Sequence, residues 1–301
     1  MRAVVVTEGA LRVEERPDPV ATAGYSLVRV RAAGINNADL LQAAGRYPAP
    51  PGAPADIPGL ELAGELVETG ERVMAILGGG GQAELAAVPS RLLMRVPDGV
   101  DWPAAGGFPE AFATAHDALF TQARLGLGER VLVTGAAGGV GTAAVQLARA
   151  AGATVVASVR SERVRPELER LGAVTCAPGE EAGPFDVILE LVGGDGLARA
   201  TDLLATGGRI VVIGVGAGAT AAVDFRTLMA TRARISASTL RARPLEEKAL
   251  VVRRLERHVL PLLADGRVRV LVCETFPLDR AADAYERFGA GGKLGKIVLG
   301  M

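Results

Sequence analysis

A chain of 301 residues, 49% hydrophobic and 22% charged, can bury two substantial cores, so two domains are expected. Its formal net charge of −1 gives no electrostatic footprint for nucleic acid or an anionic membrane surface. No apolar run approaches the roughly 20 residues of a membrane span, and the acid-bearing start Met1-Arg-Ala-Val-Val-Val-Thr-Glu8 makes a poor signal peptide.

Residues 1–112 hold short β-like runs broken by Gly and Pro: Arg2 to Val6, Leu11 to Glu14, Ser26 to Ala32, Leu62 to Val67, Arg72 to Ile76 and Leu92 to Val96. This spacing predicts a compact β-rich, barrel-like domain. The proline-rich stretch Pro48 to Pro58 joins motif-bearing segments and is expected to be an ordered surface loop.

From 113 the pattern changes to alternating strands and helices. Val131-Leu-Val133 is a covered strand, followed by a glycine turn and a helix from Thr142 to Ala151. Gly138, Gly139 and Gly141 suit a sharp turn that approaches a pyrophosphate, and the helix directs its free N–H groups at the same place. Ala137, Gly138, Gly139 and Val140 are the expected contacts. Ala136 stands where the first glycine of a GxGxxG pattern belongs, so the strand–turn–helix context matters more than the motif itself. Next come strand Thr154 to Val159, helix Glu162 to Leu171, strands Val174 to Ala177 and Phe185 to Val192, helix Gly196 to Leu204 and strand Arg209 to Gly214. Strand Arg234 to Thr239 and a helix from Pro244 to Leu263, kinked or ended near Pro261, complete the run. Such alternation predicts an α/β fold with a doubly wound parallel Rossmann sheet over 113–265. Residues 266–301 add a strand, a helix (Asp279 to Phe288) and the strand Lys296 to Leu299. Cys176 and Cys273 lie far apart in apolar strand-like sequence, as buried thiols of a reduced cytoplasmic protein would.

The segment Gly128-Glu129, Leu132, Ala136-Ala137-Gly138-Gly139, Gly141, Gln146 and Arg149 resembles the signature of the quinone oxidoreductase/zeta-crystallin family. This is the zinc-free branch of the medium-chain dehydrogenase/reductase superfamily, in which Ala is common at the first-glycine position. Further matches are Gly34-Ile-Asn36 with Asp39, Gly45-Arg-Tyr47-Pro, Pro58-Gly59 with Ala63-Gly64, Gly80-Gly81-Gln82-Ala83-Glu84, and Gly292-Lys293-Leu-Gly295-Lys296-Ile-Val-Leu299. The resemblance implies that 266–301 returns to 1–112 to form one GroES-like catalytic domain. It also implies a homodimer built through the cofactor domain.

Cofactor choice is set at the end of the second strand. An NAD enzyme places an acid there for the adenosine ribose hydroxyls; here the strand ends Ala157-Ser158-Val159-Arg160-Ser161 with no acid inside it. Glu162 follows Ser161, which looks like a helix N-cap, so it serves as a first-turn acid. Arg160 and Ser158 suit the 2′-phosphate of NADPH, against the alternative of a solvated arginine in an Arg-rich chain. Ligands of such sheets sit at the strands' carboxyl ends, so Leu191, Val192, Gly193, Ile213, Gly214 and Val215 should border the nicotinamide half.

By the same resemblance, Asn36 stands where zinc-dependent relatives carry a Cys, Leu60 where they carry a His, and Gly106-Gly107 near the third ligand. His116 and His258, the chain's histidines, fall in helix-like sequence far from these motifs, so zinc is not expected. Without a metal, hydride transfer to an already electrophilic acceptor is favoured over alcohol oxidation. Asn36 is the candidate polar group near the nicotinamide ribose or substrate oxygen, with helix capping the competing reading and more natural for Asn37. Tyr47 is the candidate proton donor, with packing on the proline loop as its competitor. Gln82 and Glu84 follow a glycine run as candidate cleft residues; for Glu84 a structural role is favoured.

The expected activity is NADPH-dependent reduction of small quinones. A reductase of 2-alkenals or enoyl thioesters is the alternative, and an NADPH-binding structural or regulatory protein the alternative of another class. The segment Arg234 to Thr239 is expected to be an exposed sheet edge that pairs with a second copy. The competing reading makes Arg232, Arg234, Arg241 and Arg243 gatekeepers against such pairing. Lys occurs only at 248, 293 and 296 and Asn only at 36 and 37, which fits either heat adaptation or the codon bias of a GC-rich genome.

Overall fold

A computed structural model describes residues 1–7 and 9–301. They form two compact units, Met1–Ala113 with Leu240–Met301, and Thr114–Thr239. In chain order the strands are β1 (Arg2–Thr7), β2 (Ala10–Glu15), β3 (Tyr25–Ile35), β4 (Glu61–Leu66), β5 (Arg72–Ile76), β6 (Leu85–Pro89), β7 (Leu93–Arg95) and β8 (Arg130–Thr134). Then follow β9 (Thr154–Ser158), β10 (Val174–Cys176), β11 (Phe185–Glu190), β12 (Leu204–Val212), β13 (Arg234–Ala237), β14 (Val272–Pro277) and β15 (Lys296–Gly300).

In the first unit, β1 and β2 pair as an antiparallel hairpin, and a larger sheet runs β14-β15-β3-β4-β5-β7 with β6 also on β3. β3 alternates as a half-covered strand should: Val28, Val30 and Ala32 are buried while Arg29 and Arg31 are exposed. From Ala32 to Ile35 every residue is buried, so the end that leads into Asn36 is enclosed on both faces. Val28 and Val30 pack with Leu62, Ala75 and Val88 in the core of this sheet. β6 was not foreseen, because Leu85-Ala-Ala-Val-Pro89 has little β-branched content and ends in proline; its pairing with β3 overrides that local preference. β15 lies between β14 and β3, which returns the chain's end to this unit.

One boundary differs from the sequence expectation. Residues 240–265 belong with the first unit rather than the Rossmann unit. The expected single helix is two, Leu245–His258 and Leu260–Ala264, with Pro261 in the first turn of the second. The longer helix is tied to first-unit residues: Arg253 Nη2 donates to the carbonyls of Arg91 (3.2 Å) and Leu93 (3.0 Å), and Arg91 Nη1 pairs with Glu246 Oε2 (2.6 Å). Periodicity cannot reveal which core a helix face will choose.

In the second unit a wholly parallel sheet runs β10-β9-β8-β11-β12-β13. The order reverses between β8 and β11, the switch point at which open α/β sheets take ligands. Leu132, Val156, Phe185, Ile188 and Ile210 fill the core on one face. A helix from Phe225 to Thr231, absent from the sequence reading, precedes the edge strand β13.

Candidate active and cofactor sites

The second unit carries a dinucleotide-type turn after β8. The helix Gly139–Ala150 starts behind N-cap Gly138, which brings no side chain to the first-turn N–H groups. A Cβ at Gly138 would meet nothing nearer than Gly135 O at 3.7 Å, so the space over the turn is open. A Cβ at Gly141 would lie 2.6 Å from Ala136 Cα, so turn and helix pack too closely for any side chain there. An uncapped helix start facing open space fits a pyrophosphate, which Ala137, Gly138, Gly139 and Val140 would line.

Across the switch point, Glu190 ends β11 with a carboxylate only 1% exposed. Its Oε1 accepts Thr134 Oγ1 (2.9 Å), Val192 N (2.7 Å) and Gly193 N (2.8 Å). Thr134 Oγ1 in turn accepts Leu191 N at 2.9 Å, and Glu190 O accepts Ile213 N (2.9 Å) and Gly214 N (3.2 Å). One residue therefore ties both turns expected to border the nicotinamide, Leu191 to Gly193 through its carboxylate and Ile213 to Val215 through its backbone carbonyl. Sequence reasoning passed over it as an ordinary strand residue.

Just beyond the end of β9, Arg160 is exposed. Ser158 is 2% exposed and donates through Oγ to Glu181 Oε1 at 2.7 Å. Ser161 does sit at an N-cap, of the short turn Glu162–Val164, but its side chain makes no cap bond.

In the first unit, antiparallel register collects three polar residues at one end of the sheet. β3 runs into Asn36, while β4 starts at Glu61 and β15 at Lys296, with Ile297 opposite Ile35. Lys296 Nζ donates to Asn36 Oδ1 (2.6 Å) and Ile35 O (2.9 Å) and pairs with Glu61 Oε1 (2.6 Å). Asn36 Nδ2 donates to the same Glu61 oxygen at 2.9 Å, and Glu110 N donates to Oε2 at 2.8 Å. A Cβ on Gly34 would lie 2.3 Å from Glu61 Oε1, so glycine makes room for that carboxylate. Both ends of the Asn36 amide are thereby oriented.

Asn36, not Asn37, is the N-cap of the helix Asn37–Ala43, so capping and site orientation coincide in one residue. Asp39 closes the cap by accepting Asn36 N (2.8 Å) and also accepts Gly59 N (3.0 Å). Burial is the main cause that pushes its carboxyl up to about 6, against the two backbone donors that lower it. Tyr285 OH donates to Gln82 Oε1 at 2.9 Å, and its hydroxyl is pushed well up by burial and by Asp39.

Tyr47 is half-buried. The Arg241 guanidinium lies 5.0 Å from its ring centroid and donates to Tyr47 O (3.0 Å), Gly78 O (2.8 Å) and Gln42 Oε1. At 3% exposed, Arg241 cannot act as an edge gatekeeper; it clamps the loop that carries Tyr47. Burial lowers its pKa from the usual arginine value. Glu84 accepts Arg2 N (2.7 Å) and Arg2 Nε (2.9 Å), a structural tie between chain start and sheet, whereas Gln82 is fully buried.

A doubly wound sheet with an open glycine turn, carried in one chain with a β-rich unit bearing a buried polar cluster, defines a medium-chain dehydrogenase/reductase. Residues 22–98 match the alcohol dehydrogenase GroES-like domain, and residues 151–299 match the zinc-binding dehydrogenase family. The chain is 30% identical to the quinone oxidoreductase of Mus musculus, over 93% of this chain and 90% of that one. It is 34% identical to the quinone oxidoreductase of Thermus thermophilus, whose structures include a complex with NADPH; the match covers 100% of both chains at a TM-score of 0.89. It is also 34% identical to part of a phenolphthiocerol/phthiocerol polyketide synthase of Mycobacterium tuberculosis, covering 90% of this chain but only 13% of the synthase chain. The chain belongs to the quinone oxidoreductase branch of the medium-chain dehydrogenase/reductase superfamily and is an oxidoreductase.

Zinc, implied by the wider superfamily, does not fit the residues present. The positions that would hold it offer an amide already bound at both ends (Asn36), an aliphatic side chain (Leu60) and two glycines (Gly106, Gly107). The Lys296 ammonium, 2.6 Å from Asn36, also places a cation there.

Proposed function

We propose that this protein is an NADPH-dependent reductase of small quinones such as 1,4-benzoquinone and naphthoquinones, working without a metal. The observation that carries the reading is the Asn36–Glu61–Lys296 cluster, which puts oriented amide and ammonium groups where a metal-dependent relative needs ligands. Charge developing on an acceptor oxygen is then met by the remaining Nδ2 hydrogen of Asn36, an amide that Lys296 and Glu61 hold in place, rather than by a Lewis acid.

When bound, NADPH supplies the hydride. Ala137, Gly138, Gly139 and Val140 hold the pyrophosphate, Arg160 reaches the 2′-phosphate, and Ser158 stands beside it. Leu191, Val192, Gly193, Ile213, Gly214 and Val215, fixed by Glu190, position the nicotinamide half. Asn36 orients the ribose or the acceptor oxygen, and Tyr47 presents a hydroxyl on a clamped loop. The protein is proposed to be cytoplasmic and homodimeric. Oxidation of NADPH by a quinone panel tests this: turnover above background on at least one quinone supports it, and none on any sinks it.

A second reading, reduction of 2-alkenals or enoyl thioesters, is favoured by one feature. Arg241 holds the backbone carbonyl of Tyr47 and lies over its ring, which fixes the residue whose hydroxyl would serve as proton donor to carbon. Tyr47→Phe separates the two: a loss of about 100-fold or more in turnover favours the enoyl chemistry, and a change under about threefold favours quinones. NADPH binding without turnover of any acceptor would favour a structural or regulatory role.

A further inference from the structure

Ser158 closes β9, and the parallel register sets Cys176 of β10 beside it. The chain leaving β10 turns at once. Glu180 N donates to Ala177 O (3.0 Å) and Gly179 N to Glu181 Oε2 (2.7 Å). The turn carries Glu181 back to β9, where its Oε1 accepts the Ser158 hydroxyl at 2.7 Å. Each carboxylate oxygen has its own donor, so the group is held in place. The acid that β9 lacks in its own sequence is supplied by the loop after the neighbouring strand.

A serine hydroxyl has a single hydrogen and two lone pairs. Ser158 gives its hydrogen to Glu181, so only lone pairs remain for a ligand. A ribose 2′-hydroxyl can donate into them. A 2′-phosphate presents acceptor oxygens and negative charge, and meets neither a hydrogen from Ser158 nor relief from the carboxylate behind it. Arg160, two residues further on and exposed, acts in the opposite sense.

We infer that Glu181, acting through Ser158, is a specificity-determining residue that favours the ribose 2′-hydroxyl of NADH and opposes the phosphate preference contributed by Arg160. The inference rests on the nicotinamide reading above and deepens it. Removing Glu181 releases the Ser158 hydrogen toward the phosphate, a charge-assisted bond whose strength corresponds to about tenfold or more in affinity.

The test is calorimetric titration of the whole protein with NADPH and with NADH, so that it reads binding rather than turnover. Glu181→Ala should raise the ratio of the NADH Kd to the NADPH Kd about tenfold. Adding Ser158→Ala should take back the part of that gain that the hydrogen bond supplies. A ratio unmoved by Glu181→Ala overturns the inference, as does a double variant that keeps the full gain. If the unaltered protein binds both dinucleotides equally and Glu181→Ala then shifts the ratio toward NADPH, the two residues oppose each other as inferred. If no variant binds either dinucleotide, the nicotinamide reading falls and this inference with it.

Discussion

Lys296 and Glu61 form an ion pair of 2.6 Å with side chains 4% and 0% exposed, and the same ammonium holds Asn36 Oδ1 at 2.6 Å. A pair so far from water persists because every close partner is a hydrogen-bonding group: Ile35 O, Asn36 and Glu110 N. Removing one member strands the other. Lys296→Met should therefore cost about 3–5 kcal/mol in urea unfolding. Lys296→Met with Glu61→Gln should cost less than the two single changes added together. Strict additivity in that cycle would show that the two groups do not interact as the geometry implies.

Asp39 gives a stability signature with a definite sign. Its folded pKa of about 6 lies above the roughly 3.9 of an unfolded aspartate. Between those values the native protein retains a proton that the unfolded chain has released. The contribution is thus fully present below about pH 4, falls as pH rises through 6, and is flat beyond; about two pK units correspond to about 3 kcal/mol. Glu84 and Glu129, both shifted down, slope the other way at lower pH, so the total curve does not isolate Asp39. The difference between the unaltered protein and Asp39→Asn does. That difference, from urea melts at pH 4 to 7, should shrink across the interval; parallel curves would show Asp39 titrating normally.

Arg160 should act on one dinucleotide and not the other. Arg160→Ala is expected to weaken NADPH by about one to two decades, from the loss of a charge-assisted contact of roughly 1.5 to 3 kcal/mol, with NADH almost unchanged. Because the side chain is exposed, the effect should be smaller at high salt. Fluorescence titration with each dinucleotide at two ionic strengths decides it; an equal loss for both would point to a general disturbance of the β9 end.

The strand–turn–helix at Val131 to Ala151 was legible because local signals agree there: β-branched strand, glycine turn and alanine-rich helix. The polar cluster of the first unit was not. Asn36, Glu61 and Lys296 lie far apart in the chain and meet only through the pairing of β3 with β4 and β15, which sequence patterning does not specify. One clue was present. In a chain whose cations are nearly all arginine, the three lysines sit in sheltered places: Lys296 is buried, while burial lowers the pKa of Lys248 and brings Lys293 to about 8. Glu181 and Glu190 escaped for a similar reason. Each acts on a neighbouring strand or turn, so its role depends on sheet order.

The edge of the second unit's sheet offers the last prediction, a homodimer joined through β13. This strand pairs only with β12, on one side, among the described residues. Ser238 N donates to Val212 O at 3.1 Å, so by the period of two the N–H groups of Ile235 and Ala237 face outward. Close in sequence, the helix Phe225–Thr231 leaves Phe225 73% and Met229 76% exposed. Two large apolar side chains in water beside an open ladder form a surface that a second copy can cover about a two-fold axis. Burying each would contribute roughly 1.5–3 kcal/mol. Light scattering at micromolar concentration should report a dimer. Ala237→Pro, which deletes one outward N–H without touching the inward ladder, should shift it toward monomer, as should Phe225→Glu with Met229→Glu. If both variants remain dimeric, the interface lies on another face of the protein.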